Sequence, residues 1–276
     1  MQDIVLEVQD MRYLDWAVRK MSPGTPGCFL KAYEEVDGQR IYYKLSNYDS
    51  YRGVFGHESV NELIVSRVMD VLNIPHVAYQ LIHAQIVIDG RELESWISAS
   101  DNFRKEDEEK MAYDMFYDLE KLDGESPLDF AVRNGWGLYV YQMFLIDYII
   151  GNRDRHGSNL EILRNTKDDS VRMAPLFDQG VSLLFSTYGE EKAIEQTDVM
   201  RDFPVNNYIG ARSLEYNLSL IPNGFDLKIK KLKETDRDYI FKDIEKILER
   251  NHIDKLWEMI WKRWCHFDEI CNKEKE

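Results

Sequence analysis

The chain has 276 residues, with 35 lysines and arginines against 50 aspartates and glutamates, a net charge of -15, and 44% hydrophobic residues. That is enough apolar material for one large domain or two modest lobes, and it excludes wholesale disorder. The acidity repels phosphate backbones and anionic membranes alike, so neither a nucleic-acid partner nor a membrane partner is expected.

The three cysteines, Cys28, Cys265 and Cys271, are odd in number and lack metal-ligand spacing. They read as reduced thiols in a cytosolic setting. The N-terminal MQDIVLEVQD has no basic segment followed by an apolar one, so no signal peptide is expected. The longest apolar tract, GLYVYQMFLIDYII, is interrupted by Gln142 and Asp147 and is too short to span a bilayer. A cytoplasmic protein is expected.

In chain order, Met11, Leu14 and Val18 predict a helix over 10–20, and SPGTPG at 22–27 ends it with two prolines and two glycines. CFLKAYEEVDGQRIYYKLS predicts two strands joined at Asp37-Gly38. ESVNELIVSRVMDVLNIP predicts a helix stopped at Pro75, and the stretch to 98 predicts further strands turning at Asp89-Gly90. From 102 the pattern changes. RKEDEEKMAYDMFYDLEKL reads as charged helix, 127–150 as a long apolar helix, and 160–184 as short strands. Residues 235–272 read as two amphipathic helices separated near Asn251, with Trp257, Trp261 and Trp264 as core. The basic run DLKIKKLKE at 226–234 reads as a solvated face. The composition shift near ISASDNF marks a candidate boundary between residues 1–99 and 100–276.

The chemistry concentrates in GNRDRHGSN, residues 151–159, where an apolar helix gives way to a dense polar cluster. Asp154 and Asn159 stand five positions apart, and APLFDQG places Asp178 about twenty residues on. Phosphoryl transfer needs this inventory: one carboxylate to take the hydroxyl proton, and a second carboxylate with an amide to hold a divalent ion against phosphates. Magnesium prefers hard oxygen donors and keeps several waters, so two protein ligands suffice.

GNRDRHGSN followed by APLFDQG resembles the HipA-like serine/threonine kinases, with a weaker echo of phosphoinositide kinases. The order upstream matches too: a glycine-bearing loop, a strand lysine in IYYKLS and a helix glutamate in VNELIVSR. The resemblance implies an α+β, two-lobed, protein-kinase-like fold. A small strand-rich N-lobe (1–99) would carry the loop, the lysine and the glutamate, and a larger helical C-lobe (100–276) the catalytic loop. It implies ATP and Mg2+ as cofactors, Asp154 as catalytic base, and Asn159 and Asp178 as metal ligands. Lys44 would contact the nucleotide phosphates and pair with Glu62; Lys31 and Glu58 are the competing candidates for that pair. Gly24, Thr25 and Gly27 would cradle phosphate through backbone amides. Ser22 and Thr25 are candidate autophosphorylation sites. Arg153 and Arg155 read as structural tethers, while His156 divides between packing under the loop and touching substrate.

The sequence departs from eukaryotic protein kinases at several points. Asn152 stands where a histidine is usual, the metal segment is Asp-Gln-Gly, no Ala-Pro-Glu follows, and SPGTPG is not G-x-G-x-x-G. The expected activity is phosphoryl transfer to Ser or Thr of a protein substrate. A lipid or small-molecule kinase and a nucleotide-binding pseudokinase are the alternatives. About 20 residues precede the glycine-bearing loop. An antitoxin, or a separate protein supplying the missing N-terminal subdomain, is therefore an expected partner.

Overall fold

The computed structural model describes residues 3–16, 29–185 and 191–273. The first part holds strands β1 (Ile4–Asp10), β2 (Lys31–Val36) and β3 (Gln39–Leu45). The short pair β4 (Tyr48–Asp49) and β5 (Gly53–Val54) follows, then helix α1 (Glu58–Leu72), β6 (Gln80–Ile88) and β7 (Arg91–Asp101). Five of these strands make one sheet in the order β1-β6-β7-β3-β2. Both expected hairpins form, with register Val36↔Gln39 and Ile88↔Arg91. Their turns put Asp37 and Gly38, and Asp89 and Gly90, at positive φ, the two-residue turn whose twist matches the strands.

The expected helix over 10–20 is not found in its described part. Residues 4–10 instead form β1, parallel to β6, and residues 11–16 are irregular. The acidic segment becomes an edge strand because β6 offers it backbone partners, which apolar spacing cannot reveal.

Helix α1 is buried almost all round, thirteen of its fifteen residues being inaccessible. Its apolar side, including Leu63, Val65, Val68, Met69 and Leu72, joins the main core. Its buried polar side chains must therefore find partners inside the protein. Arg67 takes Asp3 and the carbonyls of Ile240 and Lys242, and Asn61 takes the carbonyls of Gly180 and Ser182. The helix closes on Asn73 in the left-handed conformation, one residue before Ile74-Pro75.

The second part begins with β8 (Glu108–Ala112), followed by α2 (Tyr113–Glu120), α3 (Pro127–Arg133) and α4 (Gly137–Ile150). The charged stretch expected to be helical is thus half strand. Glu108–Ala112 pairs antiparallel with a later strand, and Glu108 receives a two-pronged bond from Arg172, both at 2.7 Å. That tertiary pairing overrides the helical preference of its glutamates and lysine. The long apolar helix is also divided, at Asn134-Gly135-Trp136, where Gly135 has φ +79°.

Beyond α4 lie β9 (Asp154–Arg155), β10 (Glu161–Asn165), β11 (Val171–Met173), α5 (Glu191–Gln196), β12 (Asn206–Asn207), α6 (Leu214–Ser219), α7 (Arg237–Ile240) and α8 (Arg250–Lys273). β10 is the central strand of a sheet with β8 and β11. In place of two helices in 235–272 there is one of 24 residues, α8, preceded by short turns and the four-residue α7. Trp257 and Trp264 are core, as expected. No described helix is long and apolar enough to cross a membrane.

Candidate active site

Lys44, near the end of β3, points at α1 and at the segment after β11. Its Nζ donates to Glu62 Oε1 at 2.9 Å and to Asp178 Oδ1. The other oxygen of Glu62 accepts the backbone N–H of Gln179 at 2.8 Å. One buried carboxylate therefore holds both the lysine and the chain beside Asp178. Lys31, cross-strand from Lys44 in the β2–β3 register, reaches Asp178 Oδ2 at 3.5 Å from a half-exposed position. Glu58 faces elsewhere: its carboxylate takes the backbone and side-chain N–H groups of Asn47.

Burial works against the Lys44 ammonium, but the charges of Asp178 and Glu62 outweigh it and hold its pKa above the usual lysine value. Burial likewise works against the Asp178 carboxylate. The charges of Lys44 and Lys31 prevail and hold it well below the usual carboxylate range. Asp178 is thus ionised at neutral pH. Its backbone sits in the left-handed region at φ +59°, and its N–H donates to the Tyr79 hydroxyl at 3.1 Å. Gly180 follows in close contact with α1: a Cβ there would come within 3.0 Å of Glu58 Cβ.

The loop after α4 is set from beneath. Gly151 ends the helix at φ +61°. Arg155, 1% exposed, grips Asp147 of α4 through Nε at 3.1 Å and Nη2 at 2.7 Å. The same guanidinium donates to the Phe177 carbonyl at 3.1 Å and to Gln179 Oε1. Asn152 adds a bond to Asp147 at 2.8 Å. Asp147 thereby anchors the loop on α4, and Arg155 ties it to the Asp178 segment. Such a buried pair holds geometry only when its hydrogen bonds are complete, as here.

Asp154 stands half-buried on β9, which pairs in parallel with β12. Its Oδ1 accepts from Asn206 Nδ2 at 3.2 Å, its backbone N–H donates to Asn152 Oδ1, and His156 Nε2 lies 3.7 Å from its Oδ2. Asn159 Nδ2 donates to the Asp154 carbonyl at 2.8 Å, which turns its amide oxygen to the other side. Gly157 leaves room for α2, since a Cβ would fall 2.6 Å from Asp114 Cγ.

The structure therefore brings Lys44, Glu62, Asp178 and Lys31 together, and couples them through Arg155 to the loop of Asp154 and Asn159. Gly24, Thr25, Gly27, Ser22 and Cys28 lie outside the described residues. Among the described residues no group of three or more His, Cys, Asp or Glu side chains could hold a metal. One ionised carboxylate, Asp178, and one oriented amide oxygen, Asn159, are hard donors that fit Mg2+ completed by phosphate oxygens and water. Sequence reasoning missed Tyr79, Gln179, Asn61 and Asn206, which carry no local signal. It met Asp147 only as an interruption, although a lone carboxylate in an apolar run is seldom buried unless paired.

A strand-rich part joined to a helical part, with a lysine–glutamate pair beside the loop after a buried helix, defines a kinase-like α+β fold. The chain matches no family model and no curated protein. Among solved structures it is similar to the proinflammatory kinase CtkA of Helicobacter pylori. The TM-score is 0.66 at 16% identity, over 98% of this chain and 99% of that one. It also matches HipA of the Shewanella oneidensis MR-1 toxin–antitoxin system, solved with HipB and operator DNA. There the TM-score is 0.47 at 15% identity, over 96% of this chain and 70% of that one. The fold is that of the CtkA kinase.

Proposed function

We propose that the protein is a HipA/CtkA-like kinase that transfers the γ-phosphoryl group of ATP, with Mg2+, to Ser or Thr of a protein substrate, itself included. The observation that carries this reading is the Lys44–Glu62–Asp178 cluster, joined through Arg155 and Asp147 to the loop of Asp154 and Asn159. Residues 1–99 would serve as the nucleotide lobe and 100–276 as the lobe that holds the acceptor.

In this mechanism Lys44 binds nucleotide phosphate, and Glu62 keeps its ammonium from collapsing fully onto Asp178. Asp178 and Asn159 would hold a magnesium ion, which would neutralise charge on the phosphates. Asp154 accepts the proton of the attacking hydroxyl as its oxygen bonds to the γ-phosphorus and the bond to the ADP oxygen breaks. Asn206 holds that carboxylate through Oδ1, and Asn152 holds the backbone of Asp154 by accepting its N–H. Arg155 touches no substrate; it positions the loop.

Incubation of the purified protein with radiolabelled ATP and Mg2+ tests the reading. Label in protein is expected for the wild type, with loss of roughly 10²-fold or more for Asp154→Ala and Asp178→Asn. If both variants match the wild type the assignment fails, and label in lipid extracts alone would favour a lipid kinase.

A further inference from the structure

Helix α2 carries an unusual surface. Tyr113 and Tyr117 pack inward, yet its outer side presents Met115 at 60% and Leu119 at 70% exposure, one helical turn apart. Leu122, just past the helix end, is 59% exposed. Single exposed apolar side chains need no explanation, but three long ones within eight residues do. Their surroundings are acidic: residues 105–125 carry nine acidic side chains (Glu106, Asp107, Glu108, Glu109, Asp114, Asp118, Glu120, Asp123, Glu125) and three basic ones (Lys105, Lys110, Lys121). Three of the nine are engaged by distant cations, Glu108 by Arg172, Glu125 by Arg133 and Asp107 by Lys167. Asp118, which holds Lys121 at 2.6 Å, and Glu120 stay exposed beside the apolar residues.

The position matters as much as the composition. The first turn of α2 rests on the candidate catalytic loop, where Asp114 fills the space that a Cβ on Gly157 would need. One end of α2 therefore adjoins the loop that carries Asp154. An acidic rim around apolar anchors repels anionic membranes and acidic proteins and attracts a segment of the opposite charge.

We propose that the outer side of α2 is a docking surface for the protein substrate. It would take a basic amphipathic segment whose apolar residues cover Met115, Leu119 and Leu122 and whose lysines or arginines meet Asp118 and Glu120. The inference rests on the kinase reading for the word substrate, but the surface can be tested apart from it.

The test uses fluorescein-labelled peptides containing one serine: a lysine/leucine amphipathic sequence, its glutamate/leucine counterpart, and a lysine/serine version without leucine. Binding is read by fluorescence anisotropy and phosphate transfer by radiolabelled ATP. The wild type is expected to bind the basic amphipathic peptide and to bind the other two at least about tenfold more weakly. Met115→Glu/Leu119→Glu should lose at least about tenfold in affinity for it, and Asp118→Lys should lose affinity in a salt-dependent way. Autophosphorylation and nucleotide affinity should stay at wild-type values in both variants. Equal affinity of wild type and variants, or of basic and acidic peptides, overturns the docking surface. So does a concentration-dependent dimer in sedimentation that Met115→Glu/Leu119→Glu abolishes, because the face would then belong to a second copy. Selective binding without transfer to any peptide or protein supports the surface and overturns the kinase reading. Transfer to the basic amphipathic peptide that ignores these substitutions does the reverse.

Discussion

Glu62 Oε2 accepts the backbone N–H of Gln179 at 2.8 Å, across 117 residues of sequence. Because Glu62 Oε1 also takes Lys44, the position of the lysine and the course of the chain at Asp178 depend on one carboxylate. Glu62→Ala should therefore do two kinds of damage. Losing the charge partner and orphaning the amide should cost about 3–5 kcal/mol of stability. Glu62→Gln keeps an acceptor and should cost about 1–2 kcal/mol. Both should lose most phosphoryl transfer, since Lys44 then turns to Asp178. Urea denaturation alongside kcat/KM for MgATP separates the two effects.

The same cluster sets a pH window. The folded-state pKa of Asp178 is depressed below its ordinary value of 3.8, so its stabilising contribution is complete above that value and disappears as the pH falls through the lower, folded one. Lys44 is raised above 10.5, so its contribution is complete below that and is lost only as the pH rises through the folded value. The difference in unfolding free energy between wild type and Asp178→Asn should be flat from about pH 5 to pH 9 and should shrink in acid. A difference that already shrinks between pH 7 and 5 would contradict the assignment.

Arg155 offers a sharper stability test. Arg155→Met leaves Asp147 buried without its cation, at a cost of about 3–5 kcal/mol. Arg155→Lys should recover less than half of that, because a single ammonium cannot meet Asp147, the Phe177 carbonyl and Gln179 together. Arg155→Met/Asp147→Leu should be more stable than Arg155→Met alone. All three should lose activity. Chemical denaturation and a radiolabel assay report both properties.

Gly157 has no strained backbone, yet its substitution should matter. An alanine Cβ would meet Asp114 at 2.6 Å, so either α2 or the loop must move. Gly157→Ala should lower turnover by about tenfold or more, given how steeply misplacement by an ångström penalises catalysis. Removing the obstacle in Gly157→Ala/Asp114→Ala should restore part of it. Steady-state kinetics of the two variants and of Asp114→Ala complete the cycle.

Much of the architecture could be read directly. The Asp37-Gly38 and Asp89-Gly90 turns announce their hairpins, because few residue pairs accept positive φ twice in succession. The spacing from Leu63 to Leu72 announces α1. The errors fall where pairing decides conformation: β1 and β8 are strands only because β6 and β10 lie alongside them. The charged composition of Glu108–Ala112 points the other way, and the bond from Arg172 decides it.

The candidate site divides in the same manner. Asp154, Asn159 and Asp178 stand out in the sequence because their spacing is short and their neighbours are apolar. Lys44 and Glu62 are preferred over Lys31 and Glu58 only by their order in the chain, since each pair presents the same chemistry on the same kind of element. The fold ranks their geometry: Lys44 meets Glu62 inside the protein, Lys31 reaches Asp178 from its exposed side, and Glu58 turns to Asn47. Spacing along the chain encodes turns, periodicity and loop chemistry, because those interactions act over a few residues. The meeting of Lys44 with Asp178, 134 positions apart, had to await the packing of α1 between sheet and helices, because only that packing turns one buried carboxylate to the lysine and another to Asn47.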